Sequence, residues 1–326
     1  MSGPAIEARG LGKDYGPIRA VEALDLTVEP GAFFALLGPN GAGKTTTVHL
    51  LATLLAPSRG EARVGGRDVR REPLEVRRRI GLVFQDSTLD RDLTAAENLH
   101  FAAALYGIDR TTARRRVAEM LKLFGLEERR DDRVGTFSGG MKRALDIARG
   151  LLHRPPILFL DEPTLGLDPV NRRGIWEMIR RLRAEHRITI FLTTHYLDEA
   201  EACDEVAIID RGRIIAGGSP PELKAGLGRE VIELEAPHRD ALEERIRVRL
   251  GSPPRRTPRG YEIRLSDAEA ALRGALALLE EGVRSVQVRR PSLEDVFLEL
   301  TGRVLDGAAG EGAAVGMEGG GRAKRQ

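Results

Sequence analysis

The chain has 326 residues, 31% charged and 41% hydrophobic, which is enough for one large domain and a smaller one. Its 51 basic and 49 acidic residues nearly balance, so no overall field attracts nucleic acid, and we expect no nucleic-acid partner. The single cysteine, Cys203, excludes an internal disulfide bond and suits a reducing compartment. No apolar run approaches the ~20 residues of a membrane span, and the first ten residues do not resemble a secretory leader, so we expect a cytoplasmic chain.

The first elements in the chain lead to a phosphate-binding sequence. Apolar alternation predicts antiparallel strands at residues 6–9 and 24–28, and the run 32–37 predicts a buried strand. The sequence GPNGAGKTT follows at 38–46, directly before a helix-forming stretch at 45–55. Gly38, Gly41 and Gly43 let the backbone turn tightly while the helix N-terminus directs N–H groups at phosphates. Lys44 would then reach the terminal phosphates and Thr45 would offer its hydroxyl to Mg²⁺.

A second group of functional residues follows the apolar run ILFL at 157–160. This run predicts a central parallel strand, covered on both faces. Asp161 and Glu162 come at its carboxyl end, the edge at which open parallel sheets bind ligands. We expect Asp161 to bind Mg²⁺, either directly or through another ligand of the ion. Glu162 would orient the attacking water and accept its proton, a role worth roughly 10²–10⁴ in rate.

Further apolar runs and helical patterns complete the first two thirds of the chain. Strands are predicted at 80–84 and 188–192, and a strand pair at 205–209 and 213–216. Apolar residues at three- and four-residue spacing predict helices at 94–106, 111–124, 142–152, 169–185 and 196–203. The alternation of strands and helices indicates an α/β fold.

Four motifs in this order resemble the ATP-binding subunit of ABC transporters. They are the phosphate loop, FSGGMKR at 137–143, ILFLDEP at 157–163 and TTH at 193–195. Within that family, the wording SGGMKRALDIARGLL and DEPTLGLDP is most similar to the branch typified by daunorubicin-resistance exporters. The resemblance runs from about residue 6 to 226. It implies a P-loop NTPase domain at 1–226 with a parallel core sheet, a small antiparallel sheet and a helical subdomain at about 87–155.

The resemblance also implies roles for individual residues. Gln85 and His195 would join Glu162 in catalysis, with Gln85 also near Mg²⁺, and His195 would contact the γ-phosphate. Tyr15 in KDYG would stack on adenine, and Asp168 in LGLD would couple two sites across a dimer. The signature motif Ser138-Gly139-Gly140 would close over the ATP of a second subunit, although Phe137 and Met141 replace the leucine and glutamine of many relatives. Nucleotide contacts in the phosphate loop would come from Gly38, Pro39, Asn40, Gly41, Ala42, Gly43, Lys44, Thr45 and Thr46.

After residue 228 the sequence pattern changes. Strands are predicted at 231–234 and 261–265 and around 283–288, with helices at 239–250, 268–281 and 293–300. We therefore expect a small α+β accessory domain at 229–304, followed by a disordered Gly/Ala-rich tail at 305–326. The segment PSLEDVFLELTG at 291–302 resembles the closing segment of exporter ATPases of this branch. Whether the domain dimerises, regulates or touches a permease stays open.

Together these features predict an ATPase that uses ATP and Mg²⁺, forms a homodimer when ATP is bound and energises a separate ABC-2-like permease. It would lie peripherally on the cytoplasmic side of the membrane and export a drug-like or other hydrophobic compound. The alternatives are a soluble ABC-type ATPase that is not coupled to transport and a non-catalytic nucleotide sensor. Arginine clusters such as Arg77, Arg78 and Arg79 are typical of solvated helix faces, and contact with lipid headgroups or a permease stays open. The sequence does not identify the substrate.

Overall fold

The computed structural model describes residues 3–227, 230–237, 240–265, 274 and 276–303. The strands up to residue 218 are β1 (Ile6–Tyr15), β2 (Ile18–Val28), β3 (Phe33–Leu37), β4 (Arg59–Val64), β5 (Arg67–Asp68), β6 (Ile80–Val83), β7 (Ile157–Asp161), β8 (Thr189–Thr194), β9 (Glu205–Asp210) and β10 (Arg213–Gly218). The helices up to residue 225 are α1 (Lys44–Leu51), α2 (Pro73–Arg79), α3 (Ala95–Leu105), α4 (Arg110–Leu123), α5 (Gly139–Leu151), α6 (Pro169–His186), α7 (Leu197–Glu201) and α8 (Pro220–Ala225).

A six-stranded sheet in the order β10-β9-β3-β8-β7-β6 forms the centre of this part. Strands β9, β3, β8, β7 and β6 run parallel, and β10 pairs antiparallel with β9. All residues of β3, β7 and β8 are buried, as expected for parallel strands covered on both faces. The carboxyl ends of β3, β7 and β8 therefore lie side by side, so the residues that follow these strands meet at one edge.

The two faces of this sheet carry separate apolar cores because side chains alternate along each strand. Phe33, Ala35 and Leu37 of β3 join a cluster that includes side chains of α3 to α6. Phe34 and Leu36 join the other cluster, which lies between the sheet and the strands β1, β2 and β4. One strand thus anchors both layers.

The antiparallel sheet has the order β2-β1-β4-β5. The predicted strands at 6–9 and 24–28 are confirmed, but both are longer in the structure because register shifts carry β1 past Ala8 to Tyr15. Strand β4 was not apparent from the sequence RGEARV, in which only Ala62 and Val64 are buried. Such a half-buried strand shows little apolar signal.

The helices at 94–106 and 111–124 are confirmed within about a residue at each end. Thr94 forms a capping box with Glu97, and the side chain of Asp109 accepts two amide hydrogens of α4. Helix α5 begins at Gly139, earlier than the predicted residue 142, because Ser138 caps it. Among the described residues, no helix has both the length and the apolar character needed to cross a bilayer.

The C-terminal part contains β11 (Glu230–Glu235), α9 (Asp240–Leu250), β12 (Arg255–Thr257), β13 (Gly260–Leu265), β14 (Ser285–Arg289) and α10 (Leu293–Thr301). Its strands form an antiparallel sheet in the order β12-β13-β11-β14, which confirms the three predicted strands and adds β12. Most of the predicted helix at 268–281 and the predicted tail at 305–326 lie outside the described residues. The final helix packs against α7 and α8 of the first part.

Candidate functional site

The phosphate loop connects β3 to α1, and two of its glycines, Gly38 and Gly43, leave no room for a side chain. A Cβ atom at Gly38 would lie 2.3 Å from the carbonyl oxygen of Ile209, and one at Gly43 would lie 2.5 Å from that of Ala20. Gly43 also has a φ of 105°, in the left-handed region that favours glycine. Because Gly43 precedes α1, no side chain caps this helix, and the positive end of its dipole faces the loop. The local geometry fits a phosphate group.

Lys44, the first residue of α1, turns its ammonium group into the loop. Its side chain is 4% exposed, and Nζ donates to the carbonyl oxygens of Gly38 at 2.8 Å and Pro39 at 3.1 Å. The same nitrogen lies 3.0 Å from Oε1 of Glu162. The cation of the phosphate loop and the carboxylate after β7 therefore form a buried ion pair.

Glu162 bridges Lys44 and His195. Its second oxygen, Oε2, lies 3.1 Å from Nδ1 of His195, which follows β8. The backbone of Glu162 has a φ of 44°, a left-handed conformation that costs a residue with a side chain about 1–2 kcal/mol. The Glu162 amide donates to both the carbonyl and the hydroxyl oxygen of Thr193, at 3.2 and 3.0 Å, and these bonds hold it there. The strained backbone places the carboxylate above the sheet edge.

The environment of Glu162 keeps it ionised. Burial acts to raise the pKa of this carboxyl, but the hydrogen bond with His195 and the charge of Lys44 outweigh it, so the net pKa lies below the ordinary value. At neutral pH the group is therefore a carboxylate, the form that a general base requires.

The oxygen atoms of Thr45 and Asp161 lie together beside this ion pair. The Thr45 hydroxyl donates to Oδ1 of Asp161 at 3.3 Å, and the Thr193 hydroxyl donates to the same oxygen at 2.5 Å. A hydroxyl and a carboxylate are hard oxygen donors, which suit Mg²⁺. No cluster of three or more His, Cys, Asp or Glu side chains that could hold a metal occurs in the part of the chain that the structure describes. The donor set therefore fits a cation that takes other ligands from phosphate and water.

A cavity of about 360 Å³ brings many of the predicted site residues together. Gln85, which follows β6, lines it together with residues of the phosphate loop. Ala42 lies buried behind the loop, where its carbonyl oxygen accepts the Gly212 amide at 2.9 Å. The described residues that line it are Ala20, Asn40, Gly41, Gly43, Lys44, Thr45, Thr46, Gln85, Glu162 and Leu165.

Tyr15 is not among the described residues that line this cavity. It lies at the end of β1 with 46% of its surface exposed, and Nζ of Lys13 is 5.4 Å from the centre of its ring. An exposed ring can receive a flat partner, so stacking on adenine stays a prediction.

The signature residues and Asp168 also lie outside the cavity lining, next to each other. The Ser138 hydroxyl accepts the Met141 amide at 3.2 Å and caps α5. A Cβ atom at Gly140 would lie 2.3 Å from Oδ1 of Asn171, so a larger residue there would displace the Asn171 side chain. Asp168 caps α6 by accepting the amides of Val170 and Asn171, each at 3.0 Å, and its pKa is lowered chiefly by the Asn171 amide. Within one subunit, Asp168 is a helix cap.

Two buried charged residues near the site were not predicted from the sequence. Glu199 is 3% exposed and accepts hydrogen bonds from Thr194 at 2.5 Å, Trp176 at 3.1 Å and the Thr164 hydroxyl. Its position four residues after His195, in the acidic run LDEAE, is typical of a solvated helix. Arg143 is 6% exposed and donates to backbone carbonyl groups. In the sequence, Arg143 follows Lys142, and two adjacent basic residues are typical of an exposed surface.

Comparisons with known proteins cover nearly the whole chain. Residues 21–165 match the ABC transporter family, and residues 218–301 match the C-terminal domain of DrrA1-3-like ATP-binding proteins. The daunorubicin/doxorubicin resistance ATP-binding protein DrrA of Streptomyces peucetius is 45% identical over 95% of this chain and 96% of its own length. The linearmycin resistance ATP-binding protein LnrL of Bacillus subtilis is 37% identical over 92% and 99%, respectively.

Solved structures of ABC ATP-binding proteins align with about two thirds of the chain. An ATP-binding subunit of an ABC transporter aligns with a TM-score of 0.62 and 33% identity, covering 68% of this chain and 92% of that one. The ATP-binding cassette MJ0796, a dimer in a post-hydrolysis state bound to ADP and Pi, aligns with a TM-score of 0.60 and 28% identity, covering 66% and 98%.

Proposed function

Because this chain belongs to the ATP-binding proteins of ABC transporters, we propose that it hydrolyses ATP at the site around Glu162 and thereby powers a separate membrane protein. The observation that carries this proposal is the position of Glu162 between Lys44 and His195, at 3.0 and 3.1 Å. Its carboxylate is ionised and buried, and it sits on a backbone that cannot relax easily.

Each of these three side chains has a distinct role. Glu162 orients the attacking water and takes its proton, which is worth roughly 10²–10⁴ in rate. Lys44 contacts the terminal phosphates, and its charge offsets the negative charge that develops there. His195 contacts the γ-phosphate and holds the carboxylate of Glu162 through Nδ1. Gln85, which also lines the cavity, positions the water.

Thr45 and Asp161 would hold Mg²⁺, with Gln85 nearby. When bound, the ion neutralises charge on the phosphate oxygens and fixes their orientation. The oxygen atoms of Thr45 and Asp161 lie 3.3 Å apart, close enough to share one cation.

The signature motif acts on the ATP of a second subunit. Ser138, Gly139 and Gly140 do not line the cavity of their own chain, although they stand at a helix N-terminus suited to an anion. A head-to-tail homodimer would bring this motif over the partner's phosphate loop, and Asp168, in contact with Asn171, would lie at the junction. The structure of MJ0796, a dimer bound to ADP and Pi, supports the formation of a dimer.

The names of the relatives support export of a drug-like or other hydrophobic compound. Two of them are named for daunorubicin/doxorubicin and linearmycin resistance, and a third, 40% identical over 94% of this chain, for Nod factor export. The chain would attach to an ABC-2-like permease at the cytoplasmic face of the membrane.

The replacement Glu162→Gln tests the site. It removes the base and keeps the size of the side chain, so turnover should fall at least about 10²-fold while ATP still binds. The matched control is Glu128→Gln, an exposed glutamate that should keep wild-type turnover. Near-normal hydrolysis by Glu162→Gln would remove Glu162 from the mechanism.

A second experiment separates transport from a soluble activity. If a neighbouring gene encodes an ABC-2-like permease, coexpression with that permease should hold the chain in the membrane fraction and raise its ATPase rate. A chain that stays in the supernatant with an unchanged rate would instead favour the uncoupled ATPase.

A further inference from the structure

Arg143 is a buried cation whose hydrogen bonds go to the backbone of two catalytic segments. Its guanidinium donates to the carbonyl oxygens of Phe84 and Pro163 at 2.5 Å each, of Glu162 at 2.7 Å and of Asp161 at 3.1 Å. The side chain is 6% exposed. These four bonds use Nε and both terminal nitrogens, so the whole fork of the guanidinium is engaged.

The four acceptors lie immediately beside residues of the proposed catalytic set. Phe84 precedes Gln85, whereas Asp161, Glu162 and Pro163 form the turn that carries the base. Glu162 adopts a φ of 44°, and a strained conformation of this kind persists where surrounding contacts over-determine it. Arg143 supplies such contacts at Glu162 itself and on both sides of it.

The same helix also holds the loop that follows Gln85. Arg149, six residues after Arg143 on α5, donates from Nη1 to the Thr88 carbonyl oxygen at 2.9 Å and also bonds the Thr88 hydroxyl. Asp146, 2% exposed, lies 3.1 Å from Arg149 Nη2. Arg143, Asp146 and Arg149 are spaced by three residues and share one face of α5. Helix α5 thus contacts the segment containing Gln85 on both sides.

Arginine is suited to this position in a way that lysine is not. A planar guanidinium can reach several carbonyl oxygens at fixed angles, whereas an ammonium group is a compact point charge on a flexible stem. A lysine at residue 143 would keep the buried charge but could not span Phe84 and Pro163 together. The exchange therefore changes geometry more than electrostatics.

We propose that Arg143 is a positioning residue, which fixes the backbones of Gln85 and Glu162 in its own subunit and so sets the rate of hydrolysis without serving ATP binding. The inference rests on the proposed function, since it requires Glu162 to be the base. It also means that the helix that begins with the signature motif is tied to the catalytic glutamate of the same chain.

The test uses Arg143→Lys in the full chain. Misplacement of a catalytic group by about 1 Å can cost 10²-fold, so kcat should fall about tenfold to a hundredfold while KM for ATP stays within about threefold. The same exchange at Arg114, exposed on α4, should leave both constants unchanged. Arg143→Met, which removes all donors, should lower kcat further, and Arg143→Lys should recover part of that loss.

A second readout distinguishes positioning from general support of the fold. In the Glu162→Gln background, Arg143→Lys should still give the ATP-bound dimer in size-exclusion chromatography, at ATP concentrations within about threefold of the parent, because binding does not depend on the position of the base. Loss of that dimer, or a wild-type kcat in Arg143→Lys, would overturn the proposal. Absence of turnover in the wild-type chain would instead count against the proposed function.

Discussion

The catalytic part and the C-terminal sheet differ in how their sheets are covered. The six-stranded sheet has an apolar core on each face. Among the described residues, the sheet β11 to β14 has one apolar cluster, to which α9 contributes Leu242 and Ile246. Charged side chains on these strands form ion pairs instead, such as Arg255–Glu262 at 2.5 Å and Arg289–Glu233 at 2.6 Å. In the part of the chain that the structure describes, the smaller sheet therefore gains less from apolar burial, so its attachment to the rest of the chain matters more.

Helix α10 provides that attachment. Leu293, Val296 and Phe297 belong to the apolar cluster of the catalytic part. Its polar side faces the small sheet, where Asp295 binds Arg289 through two hydrogen bonds of 2.6 and 3.0 Å. Burial acts to raise the pKa of Asp295, but Arg289 outweighs it and the net pKa is lowered. Helix α10 therefore follows the small sheet in sequence but packs into the core of the catalytic part.

The largest effect is expected from a substitution that breaks the attachment of α10. Phe297 is fully buried, so Phe297→Ala should lower the free energy of unfolding by about 3–5 kcal/mol. Val288 on β14 is 41% exposed, and Val288→Ala should change the free energy of unfolding by less than about 0.5 kcal/mol. Urea unfolding of the wild-type chain and both variants measures these free energies. Equal, small losses would show that α10 is not part of the catalytic core.

The next effect concerns function in the catalytic part alone. Ser138→Arg places a large side chain at the N-terminus of α5 and removes a hydroxyl, and loss of one positioned donor costs ~10²–10³ in turnover. Met141→Gln leaves the main-chain donors in place, so we expect less than about a tenfold change, or ~1.4 kcal/mol of barrier. Steady-state ATPase rates at saturating Mg-ATP compare the two. A hundredfold change in Met141→Gln would give the methionine a direct role.

The smallest effect concerns His153, which follows α5. Burial lowers the pKa of this histidine to about 4, and its Nε2 lies 2.9 Å from the Ile80 carbonyl oxygen. The unfolded chain takes up this proton near pH 6.5 and the folded chain only near pH 4, so stability is complete above pH 6.5 and falls as the pH drops between these values. From pH 7.5 to 5.0 the loss should be about 2 kcal/mol. His153→Gln should be less stable at pH 7.5 yet lose less on acidification, and an unchanged pH dependence would contradict this.

Much of the catalytic part could be predicted from its sequence because its signals are local. Buried parallel strands read as continuous apolar runs, as at residues 157–160, and Gly41 and Gly43 of the phosphate loop have the positive φ that favours glycine. Helix starts were less accurate where a cap decided them, as Ser138 does for α5.

The rest depends on contacts between distant segments. Arg143 donates to the Phe84 carbonyl oxygen, 59 positions away, and Glu199 accepts from Trp176, 23 positions away, whereas their sequence neighbours resemble solvated helix surfaces. The left-handed backbone of Glu162 has no sequence signal, since this residue type rarely adopts it. The docking of α10 on α7 and α8 likewise cannot be read from its apolar spacing, which shows that a face is buried but not against which partner.

The central claim is that ATP holds two chains together through the signature motif at Ser138 until Glu162 promotes hydrolysis. The most direct test is ATP-dependent dimerisation of variants at these two residues. With ATP, size-exclusion chromatography of Glu162→Gln should show a stable dimer, because the base that would end the closed state is missing. The double variant Glu162→Gln, Ser138→Arg should remain monomeric at the same ATP concentration, since the signature motif can no longer close over the partner's phosphate. A monomeric Glu162→Gln protein that binds ATP, or a double variant that still dimerises, would contradict the account.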